Sequence, residues 1–380
     1  MDGSYLGSPA TSQTTMAAAA AAEAAASLKR RSIPSSSSIS MLTRFHAGYF
    51  RISLALSGQA LLWRTLTGDG DGDSSSSSTP MVRSLPSAAF LLLWSLALLA
   101  LVALAALYAA RCLLRFPAVR AEFRHHVAMN YLFAPWISCL LLLQSAPPFL
   151  RPAAAPYRLL WWAFSLPILA LDVKVYGQWF TRGRKFLSMV ANPASLITVI
   201  GNLVTARAAA KMGWHEAAVA IFAVGAAHYL VLFVTLYQRF PGSDSLPAVL
   251  RPVFFLFFAA PSMASLAWDA IAASFDTCCK MLFFVSLFLF ASLVSRPALF
   301  RRAMRRFSVA WWAYSFPVTV LALASAEYAQ EVRQAAANAL MLALAVLSVA
   351  VTLALMLFSA LRTADLLPHD DPFDCPHLPM

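Results

Sequence analysis

The chain has 380 residues, of which 60% are hydrophobic and only 12% charged, with a formal net charge of +12. A mean hydropathy of +0.67 excludes an ordinary soluble domain, in which about a quarter of residues are charged. The basic residues fall in short breaks between apolar stretches rather than along one surface, which argues against nucleic acid and for anionic lipid and small anions as partners.

Residues 1–45 carry an alanine run after Met16 and a serine run after Pro34, and read as a disordered cytoplasmic tail. An organelle transit peptide is the competing reading, opposed by Asp2, Glu23 and the clustering of the arginines. Lys29, Arg30 and Arg31 lead into Ser32, a candidate phosphorylation site for a protein kinase; attraction to a lipid surface explains the same cluster. Ten apolar stretches follow, each near the roughly 20 residues needed to cross a bilayer. They lie at 47–66, 86–110, 126–146, 157–179, 189–210, 215–237, 250–271, 278–296, 307–329 and 335–361. The chain thus divides into the tail, a membrane domain over 46–362 and a short cytoplasmic tail over 363–380. Between the first two stretches, Gly68 to Thr79 is an acidic, flexible exterior linker. One side of the stretches collects Arg111, Arg115, Arg120, Arg124, Lys185, Arg296, Arg301 and Arg302, whereas the other receives Asp69, Asp71 and Asp73. The positive-inside rule then places both termini in the cytoplasm, in agreement with an even number of crossings.

Four of these stretches contain a proline near their middle: Pro135, Pro193, Pro261 and Pro317, at intervals of about 60 residues. Proline removes an N–H and strands the carbonyl four residues earlier, here Tyr131, Met189, Phe257 and Ala313, which lipid cannot satisfy. Such kinks are expected to face protein or a wet cavity. One further apolar stretch separates consecutive kinked ones, so the expected fold is an all-α polytopic membrane protein of two-helix hairpins, with the broken member of each turned inward.

Few titratable groups fall at membrane depth: Arg51, Asp172, Lys174 and His228. They form no catalytic constellation, so no enzyme, catalytic residue or cofactor is expected. Asp172 and Lys174 point in different directions on a helix, and each is expected to pair with another one. His228 reads as packing with a backbone hydrogen bond. His125 and His126, and Cys112, Cys139, Cys278, Cys279 and Cys375, show no metal-site spacing and imply no disulfide framework. Arg51 has two readings: it snorkels to the interface, or it lends positive potential to the inner mouth of a pore. Phe316 precedes Pro317, where its ring could reach a pore axis and block it, although buried phenylalanine is usually packing.

Several strings alter that balance: FRISLALSGQALLW at 50–63, NYLFAPW at 130–136, YGQWFTRGRK at 176–185, AHYLVLFVTLYQRFP at 227–241 and SVAWWAYSFP at 308–317. Over about residues 46 to 330 the chain resembles the plant slow-type anion channels, and more distantly the bacterial tellurite-resistance and dicarboxylate-transporter proteins. The resemblance implies ten helices as five hairpins in a quasi-fivefold arrangement, the inner odd-numbered helices enclosing a pore within each protomer of a homo- or hetero-trimer. It implies a phenylalanine plug at Phe316. It also implies basic residues on the cytoplasmic side at Arg120, Lys185 and Arg296. Leu141 matches the position of a second gating aromatic, and Arg51 that of a pore glycine. Transport of chloride and nitrate across the plasma membrane follows from the likeness, with cytoplasmic gating. The short tails match homologues that act as silent modulatory subunits. A third reading, a proton-coupled carrier for malate, would need a membrane carboxylate that cycles its proton, for which Asp172 is the candidate.

Overall fold

A computed structural model describes residues 44–67, 87–147, 150–181, 191–239, 248–301, 303–305 and 307–366. Ser32, Lys185, Met189 and most of both tails lie outside the described residues. The principal helices are α1 (Arg51–Thr67), α2 (Ser87–Leu114), α3 (Phe116–Arg124), α4 (Ala134–Gln144), α5 (Ala155–Thr181) and α6 (Leu196–Lys211). They continue with α7 (His215–Arg239), α8 (Leu256–Ala272), α9 (Thr277–Val294), α10 (Ser315–Val332) and α11 (Ala335–Leu361).

Packing sorts these helices into two layers. Helices α1, α4, α6, α8 and α10 each touch the next, and α10 returns to α1, so that five helices close a ring. Each ring member pairs with the helix that follows it outside: α1 with α2, α4 with α5, α6 with α7, α8 with α9 and α10 with α11. Burial separates the layers. In the windows Pro193–Lys211 and Val309–Val332, 89% of residues are buried, against 17% in Ala88–Leu114 and Thr277–Val294. Leu92, Leu99, Leu113 and Phe288 of the outer helices are exposed, as a lipid-facing surface requires.

Among the described residues, eight helices are long and apolar enough to cross a membrane, and Ala128–Gln144, turned 107° from α3, makes a ninth with it. The remaining expected span is shorter as an α-helix, Arg51–Thr67, but the 3-10 turn Ala47–Phe50 leads straight into it. The protein is therefore an all-α polytopic membrane protein, with elements close to those expected from sequence.

Every ring helix begins in the same way. A 3-10 segment precedes it: Ala47–Phe50, Ala128–Phe133, Pro193–Ser195, Ala248–Phe255 and Val309–Tyr314, before α1, α4, α6, α8 and α10 respectively. This changes the meaning of the prolines. Pro135 lies in the first turn of α4, Pro193 opens its 3-10 turn, and Pro317 lies in the first turn of α10. There the missing N–H interrupts little of the α ladder, and the fixed φ favours helix initiation. Of these four, Pro261 alone is in the interior of an α-helix. Its displaced partner, the Phe257 carbonyl, accepts the Tyr229 hydroxyl at 3.3 Å from α7. The Tyr131 carbonyl is satisfied locally by the Ala134 N–H. Three of the four prolines thus mark the change from 3-10 to α geometry, and only Pro261 sits within an α-helix as a mid-helix proline.

The far ends of three ring helices turn back sharply through left-handed residues: Gly213 (φ 79°), Ala273 (φ 53°) and Arg333 (φ 52°). Asp276 then caps α9, accepting the Cys279 N–H and the Trp268 indole N–H, each at 3.0 Å. Those bonds hold its carboxyl below the usual carboxylate range.

Candidate ion pathway and plug

Where the five 3-10 segments meet their α-helices, a cavity of about 20 Å3 lies on the ring axis. All five inner spans line it, through Arg51 and Leu54, Tyr131, Ile197, Leu256, and Phe316 in that order. The cavity sits level with the first turns of α1, α6, α8 and α10, so the positive ends of several helix dipoles converge on it. Its walls are otherwise apolar, which keeps the local dielectric low and strengthens any charge placed there.

The Phe316 ring is 2% exposed and forms part of this lining. It rests on Gly58 of the neighbouring ring helix α1: a Cβ built there would stand 3.2 Å from Phe316 Cδ2. The absent side chain of Gly58 is what leaves room for the phenyl group. Full burial of such a ring is worth about 1.5–3 kcal/mol.

A buried polar network fixes the helix that carries the ring. Gln59 Nε2 lies 2.6–3.1 Å from Thr319 Oγ1, Ser348 O, Ser348 Oγ and Thr352 Oγ1, so its two N–H groups have four oxygens to choose among. Ser315 Oγ and Thr352 Oγ1 are 2.7 Å apart, and Thr319 Oγ1 and Ser348 Oγ 2.8 Å. Ser315 and Thr319 flank Phe316, so α1 and α11 together anchor the start of α10.

Arg51 does not extend to the surface. It is 6% exposed, and its guanidinium carbon lies 4.2 Å from the Tyr131 ring centroid. Its Nε and Nη1 are buried and donate no hydrogen bond among the described residues. A desolvated cation–π contact is worth about 2 kcal/mol, whereas an uncompensated buried charge costs several. The contact with Tyr131 offsets part of that cost, while Nε and Nη1 keep no partner among the described residues.

The approach to α1 is tied down by an ion pair. Arg111 Nη1 and Glu122 Oε2 are 3.1 Å apart and almost fully buried. Glu122 Oε1 also accepts the Ala47 N–H at 2.6 Å, and Arg111 donates to the Phe45 carbonyl. His46 Nδ1 caps the first 3-10 turn by accepting the Gly48 N–H at 3.0 Å. At the opposite end of the ring, Arg207 of α6 donates to Gln144 Oε1 of α4 at 2.9 Å.

The other sequence-derived candidates lie elsewhere. Arg120 on α3 and Arg296 after α9 are exposed and do not line the cavity. Leu141 is buried in α4, also outside the lining. Of the four prolines, Pro317 alone reaches the cavity. Lys174 donates to the Phe123 carbonyl of α3 at 2.5 Å, and His228 Nδ1 lies 3.3 Å from Thr198 Oγ1 of α6, so both serve packing between helices. Asp172 is on the outer helix α5, away from the lining. Sequence reasoning missed Gly58, Tyr131 and Gln59; the only signal for Gln59 was a lone amide in an apolar helix.

A closed ring of helices around a cavity that all five line, with a cation and an aromatic ring in its wall, fits a membrane protein built around a transport path. The profile of the family described as SLAC1, voltage-dependent anion channel, matches residues 44–360. Among curated proteins, the chain is 54% identical to S-type anion channel SLAH1 of Arabidopsis thaliana over 332 residues, covering 87% of this chain and 85% of that one. It is 53% identical to S-type anion channel SLAH4 of the same plant, covering 87% of each. To the guard cell S-type anion channel SLAC1 it is 41% identical, covering 87% of this chain and 58% of that protein. The chain belongs to the SLAC1 family. This membership supports an anion channel.

Proposed function

We propose that the chain is a slow-type channel that passes chloride and nitrate down their electrochemical gradients across the plasma membrane. Both termini face the cytoplasm, and the protein works in a homo- or hetero-trimer with one path per protomer. Phe316 is the plug, and cytoplasmic contacts, including a kinase acting on the tail, shift it.

One observation carries this reading: the Phe316 ring is seated on Gly58 at the cavity that all five inner spans line. The converging helix N-termini and Arg51 support anions over cations on that path. Removing the ring should unplug the axis. Phe316→Ala is expected to raise chloride and nitrate current at least several-fold in a heterologous membrane, alone or with a longer family member. A variant that reaches the surface, assembles and passes no more current than wild type in either condition contradicts the assignment.

Arg51 also favours a second reading, in which the chain is an electrically silent subunit that modulates a longer partner. A charged side chain on the axis hinders conduction through its own protomer while leaving the partner's path intact. Recording the chain alone and with the partner separates the two. The malate carrier finds no support, because Asp172 stands on an outer helix away from the cavity.

A further inference from the structure

We propose that Arg51 and the cavity beside Phe316 form a retention site for one small monovalent anion, placed in series with the plug. The inference deepens the channel reading and rests on it for its consequence, but the site itself is defined by geometry. Arg51 is 6% exposed and lines the cavity, and its Nε and Nη1 donate to no group among the described residues. The Tyr131 ring, 4.2 Å away, steadies the guanidinium without neutralising it. Leu54, Ile197 and Leu256 make the remaining wall apolar, so an ion arriving there meets a strong, poorly screened charge.

Size selects the ligand. About 20 Å3 holds one particle the size of a water molecule. A halide, a little larger than water, fits with slight widening and nitrate with more, whereas a dicarboxylate or a sugar acid does not. A conducting site must bind weakly enough to release its ion. A desolvated guanidinium with unused donors binds strongly. Arg51 is therefore a brake: once the ring of Phe316 has moved, release of the anion from Arg51 limits the current.

The test uses the full-length protein in lipid, with bromide as probe and gluconate as the ion too large to enter. In wild type, bromide should give an anomalous scattering peak in contact with Arg51 and should raise the thermal midpoint relative to gluconate. Arg51→Gln should lose the peak and raise the half-saturating bromide concentration about tenfold or more. Arg51→Lys, which keeps the charge, should retain most of the response. In current recordings, Phe316→Ala combined with Arg51→Gln should pass several-fold more anion than Phe316→Ala alone. A folded wild type with neither peak nor bromide-dependent stabilisation overturns the site, and a double variant no more conductive than Phe316→Ala overturns the brake. Bromide held at Arg51 in a protein that conducts in no condition leaves the site standing and removes the channel reading, so the two failures are distinct.

Discussion

Gly58 and Phe316 form a pair whose coupling can be measured. Alanine at position 58 improves helix propensity by about 1 kcal/mol, but its Cβ would press on the phenyl edge at 3.2 Å, and overpacking costs about 1–3 kcal/mol. In the wild-type background, Gly58→Ala should be neutral or destabilising; in the Phe316→Ala background it should stabilise. A thermal-unfolding cycle should show a coupling of about 1 kcal/mol or more, and additivity would mean that the two residues do not touch. At this scale the sequence was only partly legible. Phe316 was visible because a phenylalanine before Pro317 stood within a familiar string. Gly58 was not, because a glycine in SGQA does not declare which side chain it admits. For Arg51 the sequence leaves snorkelling to the interface and a place at a pore mouth both open, since position alone does not tell that a 3-10 turn draws it inward over Tyr131.

Among elements, the repeated unit is a 3-10 segment, a ring α-helix and the outer helix that follows it, joined by a tight turn in three of the five. The boundaries of that unit were legible from hydropathy because each stretch must match the bilayer. The role of the prolines was not, because an apolar run gives the extent of a span and not the hydrogen-bond pattern inside it. The first ring helix has no proline at all; His46 caps its 3-10 turn instead, so the proline rhythm marked only four of the five members. The turns at the opposite end offer a test of local strain. Ala273 closes α8 at φ 53° and is exposed, so glycine there loses no packing. The left-handed conformation costs a non-glycine residue about 1–2 kcal/mol, and the greater freedom of unfolded glycine returns part of that. Ala273→Gly should stabilise the protein by about 0.5–1 kcal/mol, seen as a higher thermal midpoint; a lower one would show that the turn is not strained.

For the molecule as a whole, the arrangement follows from stacking that unit five times. Each hairpin buries one helix and exposes the other, so five copies close with their starts at one level and their polar groups turned inward. The inward polar network about Gln59 and the ion pair of Arg111 with Glu122 brace the start of α10 and the approach to α1, while the cavity lining stays apolar apart from Arg51. A path of this kind discriminates by charge and size rather than by a specific ligand cage. The architecture was legible in sequence through the hairpin rhythm; the cavity was not, because it depends on where five junctions coincide in space.

The most direct measurement places a thiol on the axis. Phe316→Cys should conduct more anion than wild type, alone or with a longer family member, and a small charged thiol reagent should then abolish that current, while wild type with its native cysteines stays unaffected. A current that persists after the introduced thiol is shown by mass to be fully modified would mean that anions do not pass position 316.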